Sequence, residues 1–219
     1  MFPIRDSERS RATPWITRAL VVFIAAVFLY QWMLEQRALE RLIAGCGLVP
    51  RMWLANLAAA NAWWPLLTSM FLHGSLLHVV SNAWALWIFG DNVEEHLGSP
   101  RFLVFYVACG ALAGVIHAAS APSSSVPTIG ASGAIAGVMG AYFLLHPRAR
   151  VVTVVPILCF PLIVELPAFL YLGLWFALQV VSGAQELGAS DEAAGIAWWA
   201  HVGGFLAGMA GVRLLARRR

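Results

Sequence analysis

Six apolar runs, at 16–34, 75–90, 102–119, 131–146, 168–182 and 195–215, take up most of this chain and leave it few ways to fold in water. A helix needs about 20 residues, within a range of about 17–25, to cross the hydrocarbon layer. The first, third and sixth runs meet that length. The second, fourth and fifth are at or below the lower limit, which predicts helices that start below a membrane surface and have their ends covered by neighbouring protein. Composition agrees: 60% of the 219 residues are hydrophobic and 11% charged, against about 45–50% and about 25% in a soluble domain. This balance excludes a disordered chain, a nucleic-acid-binding domain and a typical cytosolic enzyme. What remains is an all-α polytopic membrane protein of six helices.

The net charge of +3 does not point to a polyanion partner, because all 14 basic residues are arginines and eight of them sit at the chain ends. Arg5, Arg9, Arg11 and Arg18 precede or open the first run, and Arg213, Arg217, Arg218 and Arg219 close the chain. Such clusters set topology, and with six spans they place both termini in the cytoplasm. Arg148 and Arg150 then fall in an inner loop. The loops 120–128 and 183–194, the latter with Glu186, Asp191 and Glu192, fall outside. The connection 35–72 is also outside despite Arg37, Arg41 and Arg51, so the charge rule acts as a bias; Trp53, Trp63 and Trp64 place part of it in the outer interface. No small-residue cleavage pattern precedes Gln31 and Trp32, so the first helix is retained.

The stretch from Val151 to Ser182 is too long for one helix and is broken by Pro156, Pro161 and Pro167. Two crossings would both be too short, so one span beginning near Pro167 is expected, preceded by an apolar connecting segment. The organisation is then a cytoplasmic segment 1–15, a membrane domain 16–215 and a basic tail 216–219, with no internal repeat. Cys46, Cys109 and Cys159 show no C-x-x-C spacing and form neither a disulfide framework nor a metal site.

Polar residues within apolar spans need partners where water is absent. Three clusters stand out. His78 and Asn82 are four apart on one face of the second span, with His73 at the loop-to-helix junction near Gly74. Gly130-Ala131-Ser132-Gly133 opens the fourth span, where unpaired backbone N–H groups can hold an oxyanion. His201 lies in the sixth span above a stripe of Gly204, Gly208 and Gly211, matched on the fourth by Gly133, Gly137 and Gly140. Small-residue stripes allow close helix approach, so spans four and six are expected to pack with Ser132 facing His201. The even-numbered spans all run from outside to inside, which brings His78, Asn82, Ser132 and His201 to a similar depth in the outer half.

Taken singly, each residue has a plainer reading. Ser132 suits a helix N-cap, while His201, His78 and Asn82 suit interhelical hydrogen bonding. Their joint occurrence at one depth favours a nucleophile, a base and side-chain donors. His96, His117 and His146 lie near span ends and carry no assigned role, and Glu165 reads as a buried hydrogen-bonding or interface residue. The histidines lack an H-E-x-x-H spacing and an accompanying carboxylate, so neither metal nor cofactor is expected.

These motifs carry a resemblance. The run Trp64-Pro65-Leu66-Leu67-Thr68-Ser69-Met70-Phe71-Leu72-His73-Gly74-Ser75-Leu76-Leu77-His78 continuing to Asn82, then Gly130-Ala131-Ser132-Gly133, then Ala200-His201 with Gly204 and Gly208, resembles the rhomboid family of intramembrane serine proteases in order and spacing. The resemblance implies a six-helix bundle with its site opening to the outer face and Ser132 as nucleophile with His201 as base. It further implies an oxyanion hole of His78, Asn82 and the Ser132 backbone N–H, with His73 in a structural role. Two positions depart from the family pattern: Pro65 stands where an arginine usually follows the tryptophan, and Ala136 stands where an aromatic commonly packs on the histidine.

The implied activity is cleavage of transmembrane protein substrates within the bilayer through a Ser132–His201 dyad, since no Asp or Glu is placed to orient His201. The implied location is a bacterial cell membrane. The rival readings are a non-catalytic rhomboid-like protein that binds membrane clients and, more distantly, a small transporter, against which stand the lack of an acid on an obvious path and of an inverted repeat.

Overall fold

The apolar runs become helices in the computed structural model, which describes residues 2–157, 160–186 and 196–216. Cys159, Asp191, Glu192 and Arg217 to Arg219 lie outside the described residues. The helices are α1 (Trp15–Met33), α2 (Gln36–Cys46), α3 (Pro50–Ala55), α4 (Trp64–Thr68, continued by a 3-10 turn at Ser69–Phe71), α5 (Leu76–Leu97), α6 (Ser99–Ser120), α7 (Ser132–Leu145), α8 (Ala168–Glu186) and α9 (Trp198–Leu215). Among the described residues, Trp15–Met33, Ser99–Ser120 and Ala168–Gln185 are long and apolar enough to cross a membrane by length and composition alone.

The second run extends further than its apolar stretch, to Leu97, because its polar end has work to do inside the fold. Glu94, 2% exposed, turns its carboxylate onto the first turn of α1. Oε1 accepts from the N–H of Ile16 at 2.9 Å, and Oε2 accepts from the N–H and hydroxyl of Thr17, both at 2.8 Å. A helix N-terminus presents unpaired donors and positive potential, so a buried carboxylate there ties α5 to α1. The fourth run stays short. At about 1.5 Å per residue, the 14 residues of α7 fall well short of a bilayer about 30 Å thick. Every residue from Gly133 to Tyr142 is buried, so neighbouring helices enclose α7.

The expectation of an all-helical chain is corrected by a three-stranded antiparallel sheet in the order β1 (Phe2–Asp6), β2 (Arg150–Ile157), β3 (Phe160–Pro167). The apolar connection before Pro167 is a hairpin, and the N-terminal segment is its third strand, pairing Phe2 with Val154 and Asp6 with Val151. Val151, Val152, Thr153, Val154 and Val155 are β-branched in succession, a composition that suits a pleated surface. The prolines fall where a ladder tolerates them, with Pro156 opposite Pro161 near one end of the β2–β3 pairing and Pro167 at the strand end.

Side chains dock β1 onto the helices. Trp84 Nε1–H donates to the Pro3 carbonyl at 2.7 Å, and Phe2 stacks on the Trp84 ring with centroids 6.0 Å apart. The Asp6 carboxylate accepts from the Tyr142 hydroxyl and from Asn92 Nδ2, the latter at 3.1 Å.

The connection from α1 to α5 departs from expectation at one tryptophan. Trp63 and Trp64 are exposed, as an interfacial stretch requires, but Trp53 is buried in a small core with Leu48, Leu66 and Ala118. Trp53 meets Trp63 edge-to-face at 5.6 Å.

Candidate active site

Ser132 is the first residue of α7, one beyond the cap residue Ala131, and no side chain caps this helix. The N-cap reading is therefore not realised. The first backbone bond at this end runs from Ile135 N–H to the Ala131 carbonyl, which leaves the N–H groups of Ser132 and Gly133 in the unpaired first turn. Ser132 Oγ instead lies 2.8 Å from Nε2 of His201, on the first turn of α9.

That distance is set by backbone contact between the two helices. A Cβ on Gly208 would stand 1.9 Å from the Gly137 carbonyl oxygen, and the Gly204 position is as close to Gly133. Only glycine permits helices to touch in this way, so Gly133, Gly137 and Gly140 of α7 do face α9 at Gly204, Phe205 and Gly208, whereas Gly211 turns to Phe105 of α6. Gly204 and Gly208 act from within this contact, not from the cavity.

His78 and Asn82 approach Ser132 from α5, whose first turn is capped by the Ser75 hydroxyl accepting from the His78 N–H at 3.2 Å. Gly130, with φ +132°, brings its backbone under the His78 ring: a Cβ there would lie 2.7 Å from the ring atoms. Left-handed φ and the lack of room both require glycine at this position. Its N–H donates to the Ser69 carbonyl at 2.9 Å, which ties the approach to Ser132 to the 3-10 turn.

His73 sits behind Asn82, 2% exposed. Its Nδ1–H donates to the Phe71 carbonyl at 3.3 Å, leaving Nε2 to accept from Asn82 Nδ2 at 2.9 Å. One amide hydrogen of Asn82 is thereby used, and the other makes no hydrogen bond among the described residues. His78, Asn82, Gly130, Ser132, Gly133 and His201 border one cavity of about 840 Å³, which runs from the 121–128 loop to Phe2 and Pro3 of β1.

Four residues of this neighbourhood escaped the sequence reading. Gln31 of α1 pairs with the His73 backbone in both directions: Nε2 donates to the carbonyl at 3.1 Å and Oε1 accepts from the N–H at 2.9 Å. Gln179 of α8 places Oε1 2.8 Å from His201 Nδ1. Trp175, one turn earlier on α8, lies against the His201 ring with centroids 5.8 Å apart, and Trp198 meets it edge-on at 6.3 Å. Ala136 is fully buried, so aromatic support for the histidine comes from α8 and α9, not α7. The signal for both glutamines was present, since each is a lone amide in an apolar run and needs a partner there.

A hydroxyl on an imidazole, beside free backbone N–H groups and a side-chain amide, is the equipment of acyl transfer. Residues 60–218 match the Rhomboid domain. The chain is similar to the rhomboid protease GluP of Bacillus subtilis, 44% identical over 86 residues that make up 39% of this chain and 16% of that protein. It is also similar to the human presenilin-associated rhomboid-like protein, mitochondrial, 28% identical over 167 residues, 73% of this chain and 40% of that one. The matched segments span less than half the length of either relative. With the Rhomboid domain covering most of its length and apolar helices to match, this chain belongs to the rhomboid family of integral membrane proteins.

Proposed function

We propose that the chain is an intramembrane serine endopeptidase that cleaves transmembrane segments of membrane proteins, with Ser132 as nucleophile and His201 as base. The observation that carries this reading is the 2.8 Å contact between Ser132 Oγ and His201 Nε2 at the wall of a cavity that His78 and Asn82 also line. In this reading α1, α5, α6, α7, α8 and α9 are the six spans of a membrane domain 16–215. Both termini are cytoplasmic, and the site opens to the outer face of a bacterial cell membrane. The arginines of the N-terminal segment support that orientation.

The chemistry follows from the geometry. Ser132 Oγ attacks the substrate carbonyl carbon as its proton passes to His201 Nε2, forming a tetrahedral intermediate whose oxyanion accepts from the Ser132 N–H, the His78 ring N–H and the free amide hydrogen of Asn82. Collapse breaks the C–N bond, and the His201 proton goes to the leaving amine. Water, deprotonated by the same imidazole, then releases the acyl group from Ser132. No carboxylate contacts His201 among the described residues, so the transition state depends heavily on the oxyanion donors.

The test needs no substrate. The purified protein in detergent is treated with a fluorophosphonate serine probe, alongside Ser132→Ala and His201→Ala. Labelling of the wild type that vanishes in both variants establishes an activated serine. A folded wild type that takes no label overturns the proposal in favour of a client-binding protein.

A further inference from the structure

Gln179 is 6% exposed, and both ends of its amide are engaged. Nε2–H donates to the Trp175 carbonyl one turn back on α8 at 3.1 Å. A carbonyl can only accept, so this bond fixes which way round the amide stands and leaves Oε1 as the atom 2.8 Å from His201 Nδ1. An amide oxygen can only accept in turn, so the ring proton of neutral His201 is on Nδ1. Nε2 then carries the lone pair, and it is the atom 2.8 Å from Ser132 Oγ.

We propose that Gln179 is a positioning residue of the proteolytic site, one that selects the His201 tautomer able to accept the serine proton and holds the ring at that angle. This rests on the proteolytic reading above and extends it from a pair to a relay of Gln179, His201 and Ser132. The amide does part of what a triad carboxylate does: it orients the base but brings no charge to balance the imidazolium. Trp175 serves the same end twice, since its carbonyl sets the amide and its ring packs on His201. Among the described residues, the other titratable side chains close enough to act on His201 are His78 of α5 and His117 of α6, and neither contacts Nδ1.

The test joins a spectroscopic readout to a kinetic one. Nitrogen-15 spectra of histidine-labelled protein in detergent, with His201 assigned by comparison with His201→Ala, are expected to show a protonated Nδ1 and a bare Nε2 in the neutral ring. Gln179→Met, close in size but without an acceptor, is expected to give a mixture of tautomers. It should also lower the maximal rate of fluorophosphonate labelling about tenfold, on the order of one hydrogen bond lost, with the probe's half-saturating concentration unchanged. Gln179→Glu keeps an acceptor oxygen at the same reach; it should restore the rate and move the acid limb of the labelling profile to higher pH, because a carboxylate favours the imidazolium.

A wild-type ring protonated on Nε2 overturns the proposal without recourse to any variant, as does a tautomer population that Gln179→Met leaves unchanged. A protein that shows the tautomer shift but takes no label keeps the positioning role and loses the proteolytic reading.

Discussion

A Cβ placed on Gly204 would stand 2.0 Å from the carbonyl oxygen of Gly133, so α9 and α7 touch backbone to backbone within one turn of His201 and Ser132. The oxygen that would have to give way belongs to the residue after Ser132. Gly204→Ala therefore cannot be absorbed by a side-chain rotation and has to separate the helices. An overpacked core costs about 1–3 kcal/mol, and misplacing reacting groups by about 1 Å costs about 100-fold in rate. The expected result is a lower melting temperature in detergent and loss of most fluorophosphonate labelling. Gly45→Ala is the control, since a Cβ there meets nothing within 4 Å; it should leave labelling unchanged and the melting temperature equal or slightly higher, alanine being the better helix former.

Gln31 and the His73 backbone form a second buried contact, this time between α1 and the turn that supports Asn82. Gln31→Leu preserves bulk but strands both the N–H and the carbonyl of His73, at about 1–3 kcal/mol for each buried group left unpaired. Reversible unfolding in detergent should show the loss. Labelling of Ser132 should slow as well, because His73 is what holds Asn82. Wild-type stability in this variant would mean that the backbone groups find other partners.

Much of the site was legible because membrane chains advertise it. Ser132, His201, His78 and Asn82 are polar residues in apolar runs, and the glycine periodicity in α7 and α9 said which helices touch. The sheet was not legible for the same reason in reverse. Val151 to Pro167 is as apolar as a span, and apolarity alone cannot tell a short buried strand from a short buried helix. The partner strand Phe2–Asp6 is 145 residues or more away in sequence from the hairpin residues it pairs with, so no local pattern points to it. The length of α5 was missed because Asp91, Glu94 and Glu95 read as the end of an apolar run, whereas Glu94 is buried on the first turn of α1. Gln179 is not marked out in the sequence because the residue that orients a catalytic histidine is usually a charge, whereas here an amide serves.

The Asp6 carboxyl makes docking of the N-terminal strand depend on pH. Burial pushes it up from 3.8 to about 6; the Tyr142 hydroxyl it accepts from opposes that shift in part, and nearby Glu8 adds to it. Between those values the folded chain holds a proton that the unfolded chain has released. The contribution of this group to stability is thus complete below about 3.8 and is lost as pH rises to about 6. Asp6→Asn keeps an oxygen for Tyr142 and Asn92 without the ionisation. Melting temperatures across this range should fall for the wild type relative to Asp6→Asn, then run parallel at higher pH. Parallel curves throughout would remove Asp6 as the source.

On the proteolytic reading proposed above, a substrate helix presents its carbonyls already bonded to N–H groups four residues on, so the carbonyl that Ser132 would attack has to be freed by local unwinding. The cavity of about 840 Å³ has room for an opened turn beside Ser132 and His201. Residues that weaken a helix lower the cost of that step: glycine is about 0.8–1.0 kcal/mol less favourable than alanine in a helix interior, whereas leucine is close to alanine. In a designed single-span substrate, replacing two glycines at the cut with leucines should therefore slow cleavage by about tenfold. Initial rates in vesicles, at substrate levels below saturation, measure this directly. Equal rates for the glycine and leucine substrates would mean that unwinding does not precede the attack of Ser132, and that the cavity selects its substrate by side-chain shape instead.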